Sequence, residues 1–251
     1  MRLTLVTIFP DFFPAVFADG MIRVAREKGR LDVRVVNLRD FTDDVHQTVD
    51  DAPFGGGAGM VMKIEPIHRA LVSLEVGEKG ARPAATRVVL TSPQGRAFTQ
   101  RTAIEWATLD HLVIVCGRYK GVDERVAEKL VDEEFSIGDF VLSGGEPAAL
   151  CVVDALARLQ PGVVGKFDSV ESDSFHSGLL DSGYWTRPAD YHGWTVPAVL
   201  MSGNHAGIAS ARREEALRRT FERRPDLFET ADLDEDDRRF LRRLARRDGH
   251  E

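Results

Sequence analysis

Residues 136–146, Ser-Ile-Gly-Asp-Phe-Val-Leu-Ser-Gly-Gly-Glu, have the residue types of a site that grips a ligand through the main chain. Gly144 and Gly145 remove two side chains at one point, so a ligand or another backbone segment can come close. Pro147 then sits in the first turn of a helical segment, where its missing N–H costs nothing. A strand, a glycine turn and a helix start make a common binding corner in α/β proteins. They also make a plain tight turn, and on this stretch alone the two readings are evenly balanced. Two similar stretches follow earlier apolar runs: Ser92-Pro93-Gln94-Gly95 and Gly117-Arg118-Tyr119-Lys120-Gly121. Three such loops at successive strand ends favour one pocket at the carboxyl edge of a parallel sheet, built largely from backbone N–H and C=O groups. A fourth stretch, Phe54-Gly55-Gly56-Gly57-Ala58-Gly59, suits either a flexible lid or a backbone nest for an anion. It matches neither a Walker A motif nor a dinucleotide fingerprint. Tyr119 is equally suited to stacking on a base or to packing.

These loops need a scaffold, and the apolar periodicity supplies one. Residues 3–9, 33–38, 87–90, 112–116 and 140–142 read as strands, the last as a buried one. Residues 11–29, 64–74, 99–109, 122–131 and 147–159 read as helices. Alternation of apolar strands with helices predicts an α/β fold, a parallel sheet with helices on both faces. Residues 39–62 lack clear periodicity, and a loop that long inside a compact domain is usually functional or disordered. Residues 161–176 are acidic and turn-prone and read as a flexible linker. The chain thus divides into a ligand-binding domain (1–160), a linker (161–176) and a small helical domain (177–251). In that last part Arg212, Arg219 and Arg223 share a helix face, where RNA-phosphate contact and a solvated face are equally good explanations. In the closing helix acidic residues precede arginines, an order that complements the helix dipole.

Bulk properties narrow the function classes. Of 251 residues 43% are hydrophobic and 29% charged, a globular balance. A formal net charge of −7 excludes a wholly basic nucleic-acid binder, so any RNA contact must come from a local patch. The two cysteines, Cys116 and Cys151, form no CxxC, which fits a reducing compartment. His46, His192 and His205 lack metal-site spacing and read as hydrogen-bonding residues, with no metal site expected. Without a signal-peptide pattern or a long apolar run, the expectation is a cytoplasmic protein with no membrane association.

Several ordered stretches resemble one family. They are His46-x-Thr-Val-Asp-Asp with Pro53-x-Gly-Gly-Gly-x-Gly-Met60, Ser92-Pro-Gln-Gly95, Val115-Cys-Gly-Arg-Tyr119, Val122-Asp-Glu-Arg125, Ser136-Ile-Gly-Asp with Val141-Leu-Ser-Gly-Gly-Glu146, Asp173-Ser-Phe175, and Ser202-Gly-Asn-His205. Together they resemble the bacterial tRNA (guanine-N1)-methyltransferases, a knotted, SPOUT-type family that methylates the guanosine immediately 3′ of the anticodon. The resemblance runs from Leu3 to about Leu227.

The resemblance implies features that periodicity does not. The carboxyl half of the sheet domain is tied in a trefoil knot that holds S-adenosyl-L-methionine, the methyl donor. Contacts to it are expected from Ser92, Pro93, Gln94, Gly117 and Tyr119, from Ser136, Ile137, Gly138, Asp139, Phe140, Val141 and Leu142, and from Gly144 and Gly145. The family is homodimeric with active sites shared between chains. By the same resemblance Asp173 is the base that takes the N1 proton of guanine, and Arg158 stabilises the charge that develops on O6. RNA contacts with the tRNA anticodon stem-loop are expected at His46, Asp50, Gly57, Arg212, Arg219 and Arg223, and a Mg2+ requirement for activity is left open. The chain departs from the family at Lys120, where glutamate is usual. The alternatives are a related knotted methyltransferase acting on another RNA nucleoside, or a non-catalytic RNA-binding module. A dinucleotide-dependent oxidoreductase is disfavoured because no Gly-x-Gly-x-x-Gly follows the first strand.

Overall fold

The computed structural model describes residues 1–165 and 173–247. The chain forms two compact units, Met1–Gly165 and Lys166–Glu251. Of the expected linker, residues 166–172 lie outside the described residues, and Val163 packs into the core of the first unit.

The first unit contains β1 (Arg2–Thr7), β2 (Asp32–Asn37), β3 (Asp50–Asp51), β4 (Val61–Met62), β5 (Thr86–Ala97), β6 (His111–Val115), β7 (Gly121–Val122) and β8 (Glu133–Ser136). Its helices are α1 (Pro14–Phe17), α2 (Gly20–Glu27), α3 (Ile64–Ser73), α4 (Gln100–Ala107) and α5 (Glu146–Leu159). The main sheet runs β2-β1-β6-β5-β8, with every pairing parallel. Successive strand residues point to opposite faces, so β6 feeds two cores. Leu112 and Ile114 join Ile22, Trp106 and Leu156 from α2, α4 and α5. Val113 and Val115 join Ile67, Ala70 and Leu71 from α3. Burial on both faces explains why residues 112–115 of β6 are all apolar, and each fully buried Leu or Ile contributes about 1.5–3 kcal/mol.

Three expectations about this unit are corrected. Phe140, Val141 and Leu142 are not a buried strand; all three are exposed, and Val141 is 92% exposed. The fifth strand of the sheet is β8, whose sequence Glu-Glu-Phe-Ser has a single large apolar residue, Phe135, turned into the core. Residues 122–131 are not one helix but the end of β7, a connecting turn and a π-helical turn, Val126–Leu130. Residues 11–29 break into a 3-10 turn, α1 and α2, because Pro14 opens a new helix and Gly20 turns the chain at a φ of +60°.

The second unit contains the hairpin β9 (Asp190–Tyr191) and β10 (Trp194–Thr195), followed by α6 (Ala198–Met201), α7 (His205–Arg223) and α8 (Glu235–Arg247). Leu179, Ala216 and Leu217 are buried here, and Leu180 N–H donates to Thr220 Oγ1 at 2.9 Å. At the start of α8, Asp234 Oδ1 accepts from Asp237 N–H (2.8 Å), while Asp237 Oδ2 accepts from Asp234 N–H (3.2 Å), a reciprocal cap. Arg213 of α7 donates to both oxygens of Asp237, whose side chain is only 4% exposed. These hydrogen bonds hold the Asp237 carboxyl below the usual carboxylate range. A lowered folded value stabilises above the unfolded value of about 3.9, and that contribution is lost as pH falls through the lower folded value. Thermal unfolding followed by circular dichroism is therefore expected to show Asp237→Asn destabilised by about 1–3 kcal/mol at pH 7. The gap should narrow below about pH 4; a gap unchanged at pH 3 would contradict it.

Candidate active site

The three expected loops meet in one cleft of about 360 Å3 at the carboxyl ends of β5, β6 and β8. The first is not a loop but an excursion inside β5. Thr91 and Arg96 both pair with Phe135, so residues 92–95 are thrown outward, and they carry Ser92, Pro93 and Gln94 into the cleft wall. Gly95 is required at the return, since a Cβ there would lie 2.3 Å from the Phe135 nitrogen.

Thr91 is the hub of the cleft floor. Its Oγ1 accepts from Gly117 N–H at 2.8 Å, and Gly117 C=O in turn accepts from Gly145 N–H at 2.8 Å. A Cβ on Gly145 would lie 1.9 Å from Thr91 Oγ1, and one on Gly117 would lie 2.7 Å from Thr91 O. Arg118 pairs with Gly144 across an isolated antiparallel bridge. The glycines therefore let three chain segments lie against one another, which is a backbone role rather than flexibility. In the third loop, Gly138 N–H donates to Ser136 Oγ at 3.2 Å.

Ser136, Ile137, Gly138, Phe140, Val141, Leu142, Gly144, Gly145 and Tyr119 all line the cleft, while Asp139 is not among its lining residues. Tyr119 holds a left-handed φ of +60°. Burial, and then the neighbouring Asp50 carboxylate, raise its phenol above the ordinary range. Asp50 lies in β3, which pairs with β4 and through it with β7. Gly57 sits at an exposed, left-handed position between β3 and β4. His46 is exposed ahead of β3, its N–H bonded to Asp44. Lys120 lines the cleft, and its N–H donates to Met60 O at 2.9 Å, fastening the glycine segment to the β6 loop.

Reading by residue type missed a buried charge cluster beneath this cleft. Glu146 opens α5, almost completely buried; Thr7 Oγ1 donates to its Oε1 at 2.7 Å, and Arg118 lies 3.4 Å from its Oε2. The Arg118 guanidinium also stacks over Phe9, 4.1 Å from the ring centroid. Burial, with Glu146 adding to it, pushes the Cys116 thiol well above its ordinary range, so it stays protonated. The available signal was a glutamate inside an otherwise apolar helix start, which needs a partner. Glu146→Gln keeps an acceptor for Thr7 but leaves Arg118 without its counter-charge. We expect a loss of about 1–3 kcal/mol in chemical denaturation, and an unchanged midpoint would show that the ion pair is dispensable.

The two expected catalytic residues lie in different units. Arg158 is exposed in the last turn of α5 and is not among the residues lining the cleft. Asp173 begins the described part of the second unit, where its C=O accepts from His176 N–H. Of the arginines on α7, Arg219 is bound to Glu215 at 2.6 Å, Arg212 is exposed over the Tyr184 ring, and Arg223 is exposed. Among the described residues no group of three or more His, Cys, Asp or Glu side chains is placed to hold a metal ion. No helix among them is long and apolar enough to cross a membrane.

A parallel α/β unit with a glycine-built cleft at its strand ends has the arrangement in which α/β proteins commonly hold ligands. The family described as tRNA (Guanine-1)-methyltransferase TrmD matches residues 1–230. The chain is 52% identical over 244 residues to a tRNA (guanine-N(1)-)-methyltransferase of Geobacter metallireducens, covering 97% of this chain and 98% of that protein. A protein of the same name from Moorella thermoacetica is 49% identical, with 99% of this chain and 98% of that one covered. One from Bacillus cereus strain G9842 is 48% identical over 98% of this chain and 99% of its own length. The chain belongs to the tRNA (guanine-1)-methyltransferase family.

Proposed function

We propose that the protein transfers a methyl group from S-adenosyl-L-methionine to N1 of the guanosine immediately 3′ of the anticodon in tRNA. The observation that carries the reading is the convergence of the three glycine-bearing segments on one cleft in a chain of this family. The cleft's volume lies within the range of about 300–1,000 Å3 usual for small-molecule sites. Its floor is backbone around Thr91, Gly117 and Gly145, and its walls offer Leu90, Ile137 and Leu142 to an adenine ring.

The donor supplies an electrophilic methyl group on a sulfonium. The rest is the work of the protein's own side chains. Guanine N1 carries a proton, so attack needs a base, and Asp173 takes that role. Removing the proton builds negative charge on O6, which the Arg158 guanidinium stabilises. The reading includes a homodimer whose active sites draw on both chains. Exposed Phe140 and Val141 at the cleft mouth fit such an assembly. The close packing of Gly145 against Thr91 and Gly117 fits a trefoil knot in this region. His46, Asp50 and Gly57 and the second unit, a small helical domain, contact the tRNA in this reading. The setting is the cytoplasm.

The test is methyl transfer from labelled S-adenosyl-L-methionine to a tRNA transcript with guanosine 3′ of the anticodon, with and without Mg2+. Digestion and mass spectrometry should find N1-methylguanosine at that position. A transcript with adenosine there should stay unlabelled. Label on any other nucleoside would overturn the reading.

A further inference from the structure

Tyr184 and Trp185 lie in the second unit and take no part in the chemistry above. Both are large aromatics left open to solvent, at 67% and 45% exposure. Exposed aromatic surface of this kind usually marks an interaction site. What surrounds them is charged. The Arg212 guanidinium lies over the Tyr184 ring, 5.9 Å from its centroid. At Gly183, just before them, a Cβ would lie 2.4 Å from an Arg219 terminal nitrogen and 3.0 Å from the Trp185 ring, so Trp185 and Arg219 both lie close against this glycine. Tyr184 is steadied by its hydroxyl, which donates to Asp181 at 2.5 Å. Arg213, Arg218 and Arg224 are each spent on a neighbouring carboxylate, whereas Arg212 has no ion pair among the described residues. The other exposed aromatic pair of this unit, Tyr191 and Trp194 on the hairpin, has no arginine over either ring among the described residues.

We infer that Tyr184 and Trp185 form a stacking platform for unpaired nucleobases of the RNA, with Arg212 extending the stack and meeting the adjoining phosphate. Aromatic faces interleaved with guanidinium groups are how proteins hold single-stranded RNA, because every base has a π-face and every nucleotide a phosphate. An RNA strand supplies both partners at once, a base face for the rings and an anion for Arg212. The inference rests on the reading that the substrate is tRNA.

The experiment measures direct binding of unmodified tRNA transcript to the full-length protein by filter retention, with S-adenosyl-L-methionine affinity and sedimentation in parallel. Trp185→Leu keeps apolar bulk without a π-face and should weaken tRNA binding about 5- to 150-fold, the range for one lost stacked base. Trp185→Phe and Tyr184→Phe should bind within about threefold of wild type, since each keeps a ring for stacking. Arg212→Ala should lower the slope of log affinity against log salt by about one. Donor affinity and sedimentation should not move in any of them. Equal weakening by Leu and Phe at position 185, unchanged tRNA affinity in Trp185→Leu, or dissociation of the assembly accompanying the loss would each overturn the platform. Normal tRNA binding by a wild-type protein that methylates no guanosine would instead sink the catalytic reading and leave the platform standing.

Discussion

Asp173→Asn is expected to bind S-adenosyl-L-methionine and tRNA like the wild type and to lose about 10²–10⁴-fold in single-turnover methyl transfer, the usual contribution of a positioned general base. That range corresponds to about 3–5.5 kcal/mol of transition-state stabilisation. Asparagine is the right probe because it is nearly isosteric. The contact made by the Asp173 main chain, His176 N–H to its C=O at 3.3 Å, does not involve the side chain and should survive. What the amide cannot do is accept a proton from guanine N1. Separating binding from chemistry matters, because a loss of tRNA affinity would place Asp173 in recognition instead. Turnover within a few-fold of wild type would remove it from the base role, and Arg158 would then need a different partner in the mechanism.

Gly145→Ala is expected to cripple donor binding without touching any group that does chemistry. Its new Cβ would stand 1.9 Å from Thr91 Oγ1, 2.8 Å from Thr91 Cβ and 3.0 Å from the Gly117 nitrogen. Two of those three neighbours are not flexible side-chain ends, and the third is engaged, since Thr91 Oγ1 holds Gly117 N–H. Relief by moving Thr91 breaks that bond; relief by moving α5 pulls buried Ala149 and Val153 out of register. Overpacking of this kind costs about 1–3 kcal/mol, and the broken hydrogen bond about 1 kcal/mol more. Calorimetry should show donor affinity reduced at least tenfold, about 1.4 kcal/mol, with a lowered melting temperature. Gly165→Ala is the control, because nothing among the described residues lies within 4 Å of its Cβ position, and it should behave as wild type. A Gly145→Ala protein that binds the donor normally would mean the floor of the cleft is softer than its packing indicates.

How far the architecture can be read from residues alone depends on which signal a segment carries. β1 and β6 are legible because burial on both faces fills them with apolar residues, Leu3, Leu5 and Val6 in the one and residues 112–115 in the other. β8 is not, because its single large apolar residue, Phe135, follows two glutamates, and the first of them, Glu133, ion-pairs with both Arg87 and Arg96. Phe140, Val141 and Leu142 mislead in the opposite direction: an apolar run signals burial only when something covers it, and within this chain the run stands open at the cleft mouth. The glycine corners are legible as a group, since only a close approach of backbones explains three of them. The Glu146 cluster is not, because its partners Thr7 and Arg118 are far away in the chain. The proposed catalytic pair, Asp173 and Arg158, rests on likeness to the family and not on spacing, as no short-range pattern links the two residues.

The excursion in β5 has a consequence for how this chain can vary in length. Phe135 is the pairing partner of residues on either side of it, Thr91 before and Arg96 after. The four intervening residues thus act as a fixed spacer between two halves of one strand. Strand side chains alternate with a period of two, so a one-residue change there that shifted the Arg96–Phe135 register would turn every later residue of the strand over. Phe98 would leave Trp106 and Phe135, whose rings it meets at 5.4 and 6.0 Å, and face the opposite side. Substitutions at Ser92, Pro93 and Gln94 can therefore retune the cleft, whereas a single-residue insertion or deletion between them would be read by the core before it reached the ligand.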